Sequence, residues 1–131
     1  QQLSEKRSLT AKDVLLVEKL GIEGRVDFFA RRVQCFDEVF CLEDSEGLFV
    51  AEGRQGNGLL PAWATSEQAI RALFSEAAVS WQDCAVVRVE LARFKELLVQ
   101  ARDLADEILV GPAPESPGTE VPAAVLLSAL Q

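Results

Sequence analysis

The middle of the chain carries six carboxylates in a stretch that contains no Lys or Arg. They are Asp37, Glu38, Glu43, Asp44, Glu46 and Glu52, and we call residues 37–52 the acidic stretch. Clustered charge of one sign steers an oppositely charged partner and fixes its orientation, which favours a docking surface for a basic protein. A solvated turn, whose charges prevent edge-to-edge pairing of strands, is the more common use of such a segment.

Three cysteines are the other residues with reactive side chains. Cys35, Cys41 and Cys84 lack the Cys-x-x-Cys spacing of zinc knuckles, and their odd number fits reduced thiols better than a disulfide framework. The chain contains no His, which removes the commonest metal ligand and the commonest general base near neutral pH. We therefore expect no metal, no cofactor and no catalytic residue. An enzyme that uses carboxylates or Cys84 is the alternative.

Trp63 belongs to a set of aromatic residues that could line a groove for a peptide or a small molecule. The other members are Phe28, Phe40, Phe49 and Trp81. A domain of this size needs such aromatic side chains in its interior, so a core position is the more common interpretation. Arg54 stands in a glycine-rich turn and could help to hold an anion there, although a plain surface arginine is more common. The candidate binding residues are Asp37, Glu38, Glu43, Asp44, Glu46, Arg54 and Trp63.

The length and charge of the chain limit which classes of protein it can belong to. With 131 residues it fits one domain around a single core. Its net charge of -8 and its pI near 4.5 would repel a phosphate backbone, so nucleic acid is not an expected partner. No apolar run approaches the roughly 20 residues that a membrane-spanning helix needs, and no secretion leader opens the chain. We therefore expect a cytoplasmic protein that stays out of the membrane and that could form a homodimer.

Apolar residues at helical spacing predict five helices. Thr10 is the expected cap of the first helix, which Gly21 ends. The others are expected from Glu23 to Cys35, from Ser66 to Ala78, over the stripe from Phe94 to Leu104, and from Pro122 as a first helical residue onward.

Short apolar runs between turn-forming residues predict the strands. They cover residues 39–42, 48–51, 59–63, 85–90 and 108–110, and the first two should form a hairpin around 43–47. The prolines of residues 111–118 predict a loop. We therefore expect an α+β fold, in which about five helices pack on a small, mainly antiparallel sheet. Residues 1–9 should form a flexible N-terminal arm, and residues 10–131 a single domain.

Several motifs follow one another along the chain: Arg25-Val26-Asp27-Phe28-Phe29-Ala30-Arg31-Arg32-Val33, Glu38-Val39-Phe40-Cys41-Leu42 before Gly47, Leu60-Pro61-Ala62-Trp63 with Glu67 and Ala69, Trp81, Leu91-x-x-Phe94, and Gly118-x-x-Val121. Their order and spacing resemble a bacterial family catalogued as domain of unknown function 2750, over about Thr10 to Leu130. Phe40 stands where the family usually has tryptophan. The strand, L-P-x-W and helix arrangement is also similar to the amino-terminal domain of the SseB family.

The resemblance implies an architecture, because neither family supplies a catalytic residue that can be carried over. The function expected from the sequence is a non-enzymatic protein-interaction module with a basic partner. Two alternatives stay open. One is an immunity or inhibitor protein, or a secretion chaperone, that binds a basic toxin or effector; the other is a small enzyme that uses carboxylates or Cys84.

Overall fold

In the computed structural model, five α-helices and seven strands lie within the residues that the structure describes, namely 3–53, 56–74, 81, 83–114 and 117–131. The helices are α1 (Ala11–Glu18), α2 (Ile22–Phe36), α3 (Ser66–Leu73), α4 (Leu91–Asp103) and α5 (Ala123–Ala129), preceded by a short 3-10 helix at Leu3–Glu5. The strands are β1 (Glu38–Asp44), β2 (Gly47–Leu48), β3 (Ala51–Glu52), β4 (Gly58–Ala62), β5 (Ala85–Glu90), β6 (Glu107–Val110) and β7 (Thr119–Pro122). The predicted α+β class is confirmed.

The strands form two sheets, with the orders β2-β1-β5 and β3-β4-β6-β7. Every pair is antiparallel except β4 with β6, which run parallel. Phe40 and Trp63 join the sheets, because their backbones exchange two hydrogen bonds of 2.8 Å across an isolated bridge. The mainly antiparallel pairing is as predicted, but it is divided between two sheets. The predicted strand 48–51 is split for the same reason, since the chain leaves the first sheet at Leu48 and enters the second at Ala51.

Local sequence signals account for most helix ends. The Thr10 hydroxyl accepts a hydrogen bond from the Asp13 amide, and the Asp13 carboxylate accepts one from the Thr10 amide, which forms a complete capping box. The Thr65 hydroxyl caps α3 by accepting a hydrogen bond from the Gln68 amide. At the other end of α2, Asp37 ends the helix in the left-handed conformation, with φ of 58°.

The C-terminal part differs from the prediction in two details. Strand β7 was not predicted, because it follows directly on the proline-rich loop. Pro122 is the N-cap of α5 and the last residue of β7 rather than a first helical residue. As an edge strand, β7 tolerates a residue that has no amide hydrogen.

The main core lies where α2, α4 and α5 meet the strands. The rings of Phe29 on α2 and Phe94 on α4 pack edge to face there, with centroids 6.2 Å apart. A second, smaller cluster is built around Leu42 and Trp63 and includes Ala69 and Ala72 from α3. The helix α3 therefore covers one face of the first sheet, while the main core occupies the other side.

Two further predictions concern segments that border the described residues. Of the predicted third helix, Ser66–Leu73 is helical, and its extension to Ala78 lies outside the described residues. The flexible arm stays a prediction; within it, Leu3 packs against the main core and the Arg7 carbonyl oxygen accepts a hydrogen bond from Arg32. No helix among the described residues has the length and apolar character needed to cross a membrane.

Candidate functional site

The fold divides the acidic stretch into separate groups. Asp37 and Glu38 stand at the start of β1, and Glu43 and Asp44 at its end. A strand of this length separates its two ends by about 20 Å. Glu46 belongs to the turn after β1, and Glu52 lies on β3 in the other sheet. The carboxylates therefore do not form one continuous patch.

The group at the start of β1 is partly neutralised. A Glu38 carboxylate oxygen lies 2.8 Å from Nε of Arg88 on the neighbouring strand β5. The same hydrogen bond from Arg88 to Glu38 raises the pKa of the guanidinium. Because Glu38 has this partner, it contributes less negative potential to the surface than an unpaired carboxylate would.

One member of the group at the end of β1, Asp44, lies close enough to Cys84 to influence its thiol. The Asp44 carboxylate accepts a hydrogen bond of 2.8 Å from the Glu46 amide, which stabilises the turn. Burial, together with the negative charges of Asp44 and Asp83, raises the pKa of the Cys84 thiol. This environment disfavours the thiolate, the form in which a cysteine acts as a nucleophile. Among the described residues, no three acidic or thiol groups converge in a way that could hold a metal ion.

Trp63 is a core residue, as its more common interpretation predicted. Its side chain is 0% exposed, and its indole N–H donates a hydrogen bond of 2.7 Å to the Pro112 carbonyl oxygen. The Trp81 ring packs against it edge to face, with centroids 5.9 Å apart. Arg54, the remaining candidate, lies outside the described residues. The fold therefore uses the Trp63 side chain internally, in agreement with the more common of the two interpretations.

An apolar groove lies between α4 and the chain that leads from β2 to β4. Its cavity of about 170 Å³ is lined mainly by the apolar side chains Leu48, Val50, Leu60, Leu97, Ala101 and Leu104. Leu104 is 71% exposed and Val50 is 52% exposed, so both leave much of their apolar surface in water. We call this site the α4 groove. Concave apolar surfaces of this kind are where ligands and peptides usually bind.

Two carboxylates border the α4 groove and are held in place by β4 and the turn before it. The Asp106 carboxylate accepts a hydrogen bond of 2.7 Å from the Gly58 amide, and the Glu107 carboxylate accepts one of 3.3 Å from the Asn57 side chain. A Cβ atom at Gly58 would lie 2.8 Å from an Asp106 carboxylate oxygen, so any larger residue here would displace the carboxylate from this position. Glu52 is the register partner of Gly58 and adds a third acidic residue nearby.

The residues that the structure describes form no ion pair with this border. Among the described residues, no Lys or Arg lies within 4.0 Å of the Asp106 or Glu107 carboxylate. Both residues also line a neighbouring open cavity of about 520 Å³, with Asn57, Arg102 and Pro122. The two carboxylates therefore stand between an apolar cavity and a more polar one.

Sequence reasoning missed the α4 groove, because its residues are distributed from position 48 to position 107. Leu97, Ala101 and Leu104 follow helical spacing, which predicts a stripe that faces the core. One signal was present: Leu104 lies beyond the end of α4 and is followed almost at once by Asp106 and Glu107. An apolar residue at a helix end next to two carboxylates is unusual for a core position.

The fold and the groove define a small α+β domain with two sheets and an acid-bordered apolar cleft. The chain belongs to the family described as Protein of unknown function (DUF2750), whose model matches residues 26–130. This confirms the resemblance inferred from the motifs, although the match begins after α1, whereas the expected likeness began near Thr10. No curated protein and no solved structure matches the chain. The similarity to the SseB family stays a prediction.

Proposed function

We propose that this protein is a non-enzymatic interaction module of the bacterial cytoplasm, whose α4 groove binds an apolar segment of a basic protein. The observation that carries the proposal is the pairing of exposed apolar side chains with the positioned carboxylates of Asp106 and Glu107. The apolar part would contribute affinity, and the carboxylates would select a partner with Lys or Arg beside its apolar anchor.

The apolar part of the argument rests on Val50 and Leu104. Fully burying a side chain of this type contributes about 1.5–3 kcal/mol relative to leaving it in water. Both are more than half exposed, so a bound segment could still cover a large part of their apolar surface. A short peptide that covers both side chains would therefore gain a substantial part of the binding free energy of a micromolar complex. That binding free energy is about 8 kcal/mol.

The electrostatic part rests on the charge of the whole chain. A net charge of -8 attracts a basic partner over several ångströms, and this attraction weakens as salt is added. In this proposal Asp37, Glu38, Glu43, Asp44 and Glu46 steer the partner from a distance rather than contact it. Arg54 stays a candidate for holding an anion in its glycine-rich turn.

A more specialised form of the same function is favoured by the same charge. An immunity or inhibitor protein, or a secretion chaperone, neutralises a basic toxin or effector by charge and shape complementarity. The neighbouring genes discriminate between these forms. A toxin or effector gene beside this one would support the specialised form, and only housekeeping genes there would count against it.

The test is a binding titration with two synthetic peptides of equal length. One alternates leucine with lysine, and the other replaces every lysine by glutamate. We expect the lysine peptide to bind and to shift the NMR signals of Val50, Leu97 and Leu104, while the glutamate peptide does not bind. Equal binding of both peptides, or shifts confined to residues remote from the groove, would contradict the proposal.

Variants of the groove sharpen this test. Leu104→Ser should weaken binding of the lysine peptide about tenfold, because it removes an apolar contact. Val99→Ser is the matched control, since Val99 lies on α4, the helix that ends just before Leu104, is 38% exposed and does not line the groove. Asp106→Asn removes the charge but keeps an oxygen that can accept the Gly58 hydrogen bond. It should weaken binding at low salt more than at high salt.

A further inference from the structure

The α4 groove is bordered by a helix and by the open edge of a sheet. The sheet order β3-β4-β6-β7 places β3 at this edge, so β3 has a neighbouring strand on one side only. Val50, the residue before β3, lines the groove together with Leu97 and Ala101 of α4. A strand edge beside an apolar groove offers a peptide backbone hydrogen bonds as well as apolar surface.

The hydrogen bonds between β3 and β4 decide which backbone groups of β3 point outward. The Gly53 amide donates a hydrogen bond of 2.7 Å to the Asn57 carbonyl oxygen, and hydrogen-bonded residues alternate along an antiparallel ladder, so Ala51 also bonds to β4. No peptide bond in the part of the chain that the structure describes is cis. The N–H and C=O groups of a trans peptide point in opposite directions. The C=O group of Val50 and the N–H and C=O groups of Glu52 therefore point away from β4.

These outward groups have no hydrogen-bond partner among the residues that the structure describes. The Val50 side chain is 52% exposed, as expected at the edge of a sheet. Proteins protect such edges with short strands and charged side chains, and β3 has both features, because it is 2 residues long and carries Glu52. Protection is the more common interpretation of this edge. It still admits one class of strand, since Glu52 repels an acidic strand and attracts a basic one.

A strand added beside β3 would place every second side chain in the α4 groove. Neighbouring strands are about 4.8 Å apart, and side chains alternate between the two faces of a sheet. Because Val50 lines the groove, residues of the added strand on the same face would contact Leu97 and Leu104, which line it as well. The groove therefore fits an extended segment in which apolar residues recur at every second position.

The charges at this edge select the kind of segment that can bind. Glu52 is exposed on β3, and Asp106 and Glu107 border the same groove. None of these carboxylates forms an ion pair with a described residue. A basic segment would supply the opposite charge. A second copy of this chain carries a net charge of -8 and is repelled.

We propose that the basic partner binds in an extended conformation, as a strand added to the outer edge of β3. This inference rests on the proposed function, because it states how the α4 groove holds its partner. The backbone of the segment bonds to the Val50 and Glu52 groups, and its alternate side chains fill the groove. In strand addition the backbone bonds give affinity, and the pockets for alternate side chains give specificity.

Two N-methylated forms of the lysine peptide test the extended conformation. One form carries a methyl group on every leucine amide, and the other on every lysine amide. The N–H groups of a strand alternate in direction, so only one of these two sets faces β3. We expect one form to bind at least about tenfold more weakly than the other, because it loses its hydrogen bonds to the edge. Equal affinities of the two forms would overturn the proposal.

A peptide of the same composition with its leucines at helical spacing is the matched control. A helix would collect these leucines on one face, whereas a strand would divide them between both faces of the sheet. We expect this control to bind at least about tenfold more weakly than the lysine peptide. Equal or tighter binding of the control would show that the groove accepts a helix, which overturns the added strand.

Hydrogen exchange locates the strand on the protein. The Glu52 amide should exchange at least about tenfold more slowly when the lysine peptide is saturating. The Gly53 amide is the internal reference, since it is already bonded to Asn57. An unchanged rate at Glu52 contradicts the proposal. So does a Glu52 amide that is protected without peptide in a particle heavier than 14.3 kDa, because a second copy would then occupy the edge.

The outcomes separate this inference from the proposed function. If the lysine peptide does not bind, both are wrong. If it binds and shifts the signals of Val50 and Leu104, but the two methylated forms bind alike, the groove keeps its function and only the added strand is wrong.

Discussion

The indole N–H of Trp63 donates a hydrogen bond of 2.7 Å to the backbone carbonyl oxygen of Pro112, 49 residues further along the chain. Trp63 follows β4 and Pro112 follows β6, so this bond joins the ends of the two parallel strands. The backbone of Trp63 also bridges to Phe40 in the other sheet. One residue therefore connects both sheets and the proline-rich loop.

Trp63→Phe should destabilise the protein through the loss of this hydrogen bond. The variant keeps an aromatic ring but leaves the buried Pro112 carbonyl oxygen without its donor, which costs about 1–3 kcal/mol. Trp63→Ala should cost roughly 3–5 kcal/mol, because it also opens a cavity. Urea unfolding measures both. The control is Trp81→Phe in the same cluster, since Trp81 is only half-buried. Equal losses in the two Phe variants would contradict this role of Trp63.

Gly58→Ala should disturb the carboxylate that borders the α4 groove. The added Cβ would lie 2.8 Å from the Asp106 carboxylate, so the side chain must move and the lysine peptide should bind more weakly. Gly21→Ala is the steric control, because a Cβ there meets nothing within 4 Å. In a double-mutant cycle, Asp106→Ala should remove most of the penalty of Gly58→Ala. Additive effects would show that the two residues do not interact.

The pH dependence of stability should reveal the contact between Asp13 and Lys6. The Lys6 ammonium donates a hydrogen bond of 2.6 Å to the Asp13 carboxylate, and the Thr10 amide donates another, which together lower the pKa of Asp13 from 3.8 to about 2. A carboxyl whose pKa is lower in the folded state stabilises the fold above its unfolded pKa, and this contribution is lost as the pH falls through the folded value.

The urea midpoint of the native chain should therefore fall more than that of Asp13→Asn between about pH 5 and pH 2. Lys6→Met should reduce the difference, because it removes the largest cause of the pKa shift. An NMR titration of Asp13 gives the pKa directly. Parallel pH profiles for the native chain and Asp13→Asn would show that this contact does not contribute to stability.

Arg32 is a buried cation whose hydrogen-bonding groups are incompletely paired. Nη2 donates to the Arg7 carbonyl oxygen at 2.9 Å, and the guanidinium carbon lies 4.0 Å from the centroid of the Phe36 ring. Nε and Nη1 have no hydrogen-bond partner among the described residues. Burial lowers the pKa of Arg32, which reflects the cost of removing this charge from water.

Arg32→Met should consequently leave the stability unchanged or increase it. Methionine fills much of the same space without unpaired donors, and replacing buried charges by apolar residues of similar volume is often neutral or stabilising by about 1–4 kcal/mol. Arg32→Ala should destabilise instead, because it removes the packing of the side chain. Urea unfolding measures both changes. A loss above about 2 kcal/mol in Arg32→Met would show that the contacts with Arg7 and Phe36 outweigh the unpaired donors.

Elements whose signals are local were predictable from the sequence. The capping residue Thr10 and the apolar spacing of α2 and α4 predict these helices, and a short apolar run predicts β5, because neighbouring residues alone decide these features. The division of the strand predicted at 48–51 was not predictable. Its two halves join different sheets, and the partners of those sheets come from distant parts of the chain.

The same contrast between local signals and long-range contacts applies to the candidate sites. The sequence by itself determined the α+β class, the family and the acidic charge, since composition, order and local pattern carry that information. Only the tertiary structure decided that Trp63 is internal, that the acidic stretch is divided, and that Leu104 stands beside Asp106 and Glu107. A groove is a relation between surfaces that meet only after the chain has packed, so its residues share no spacing that a linear pattern could show.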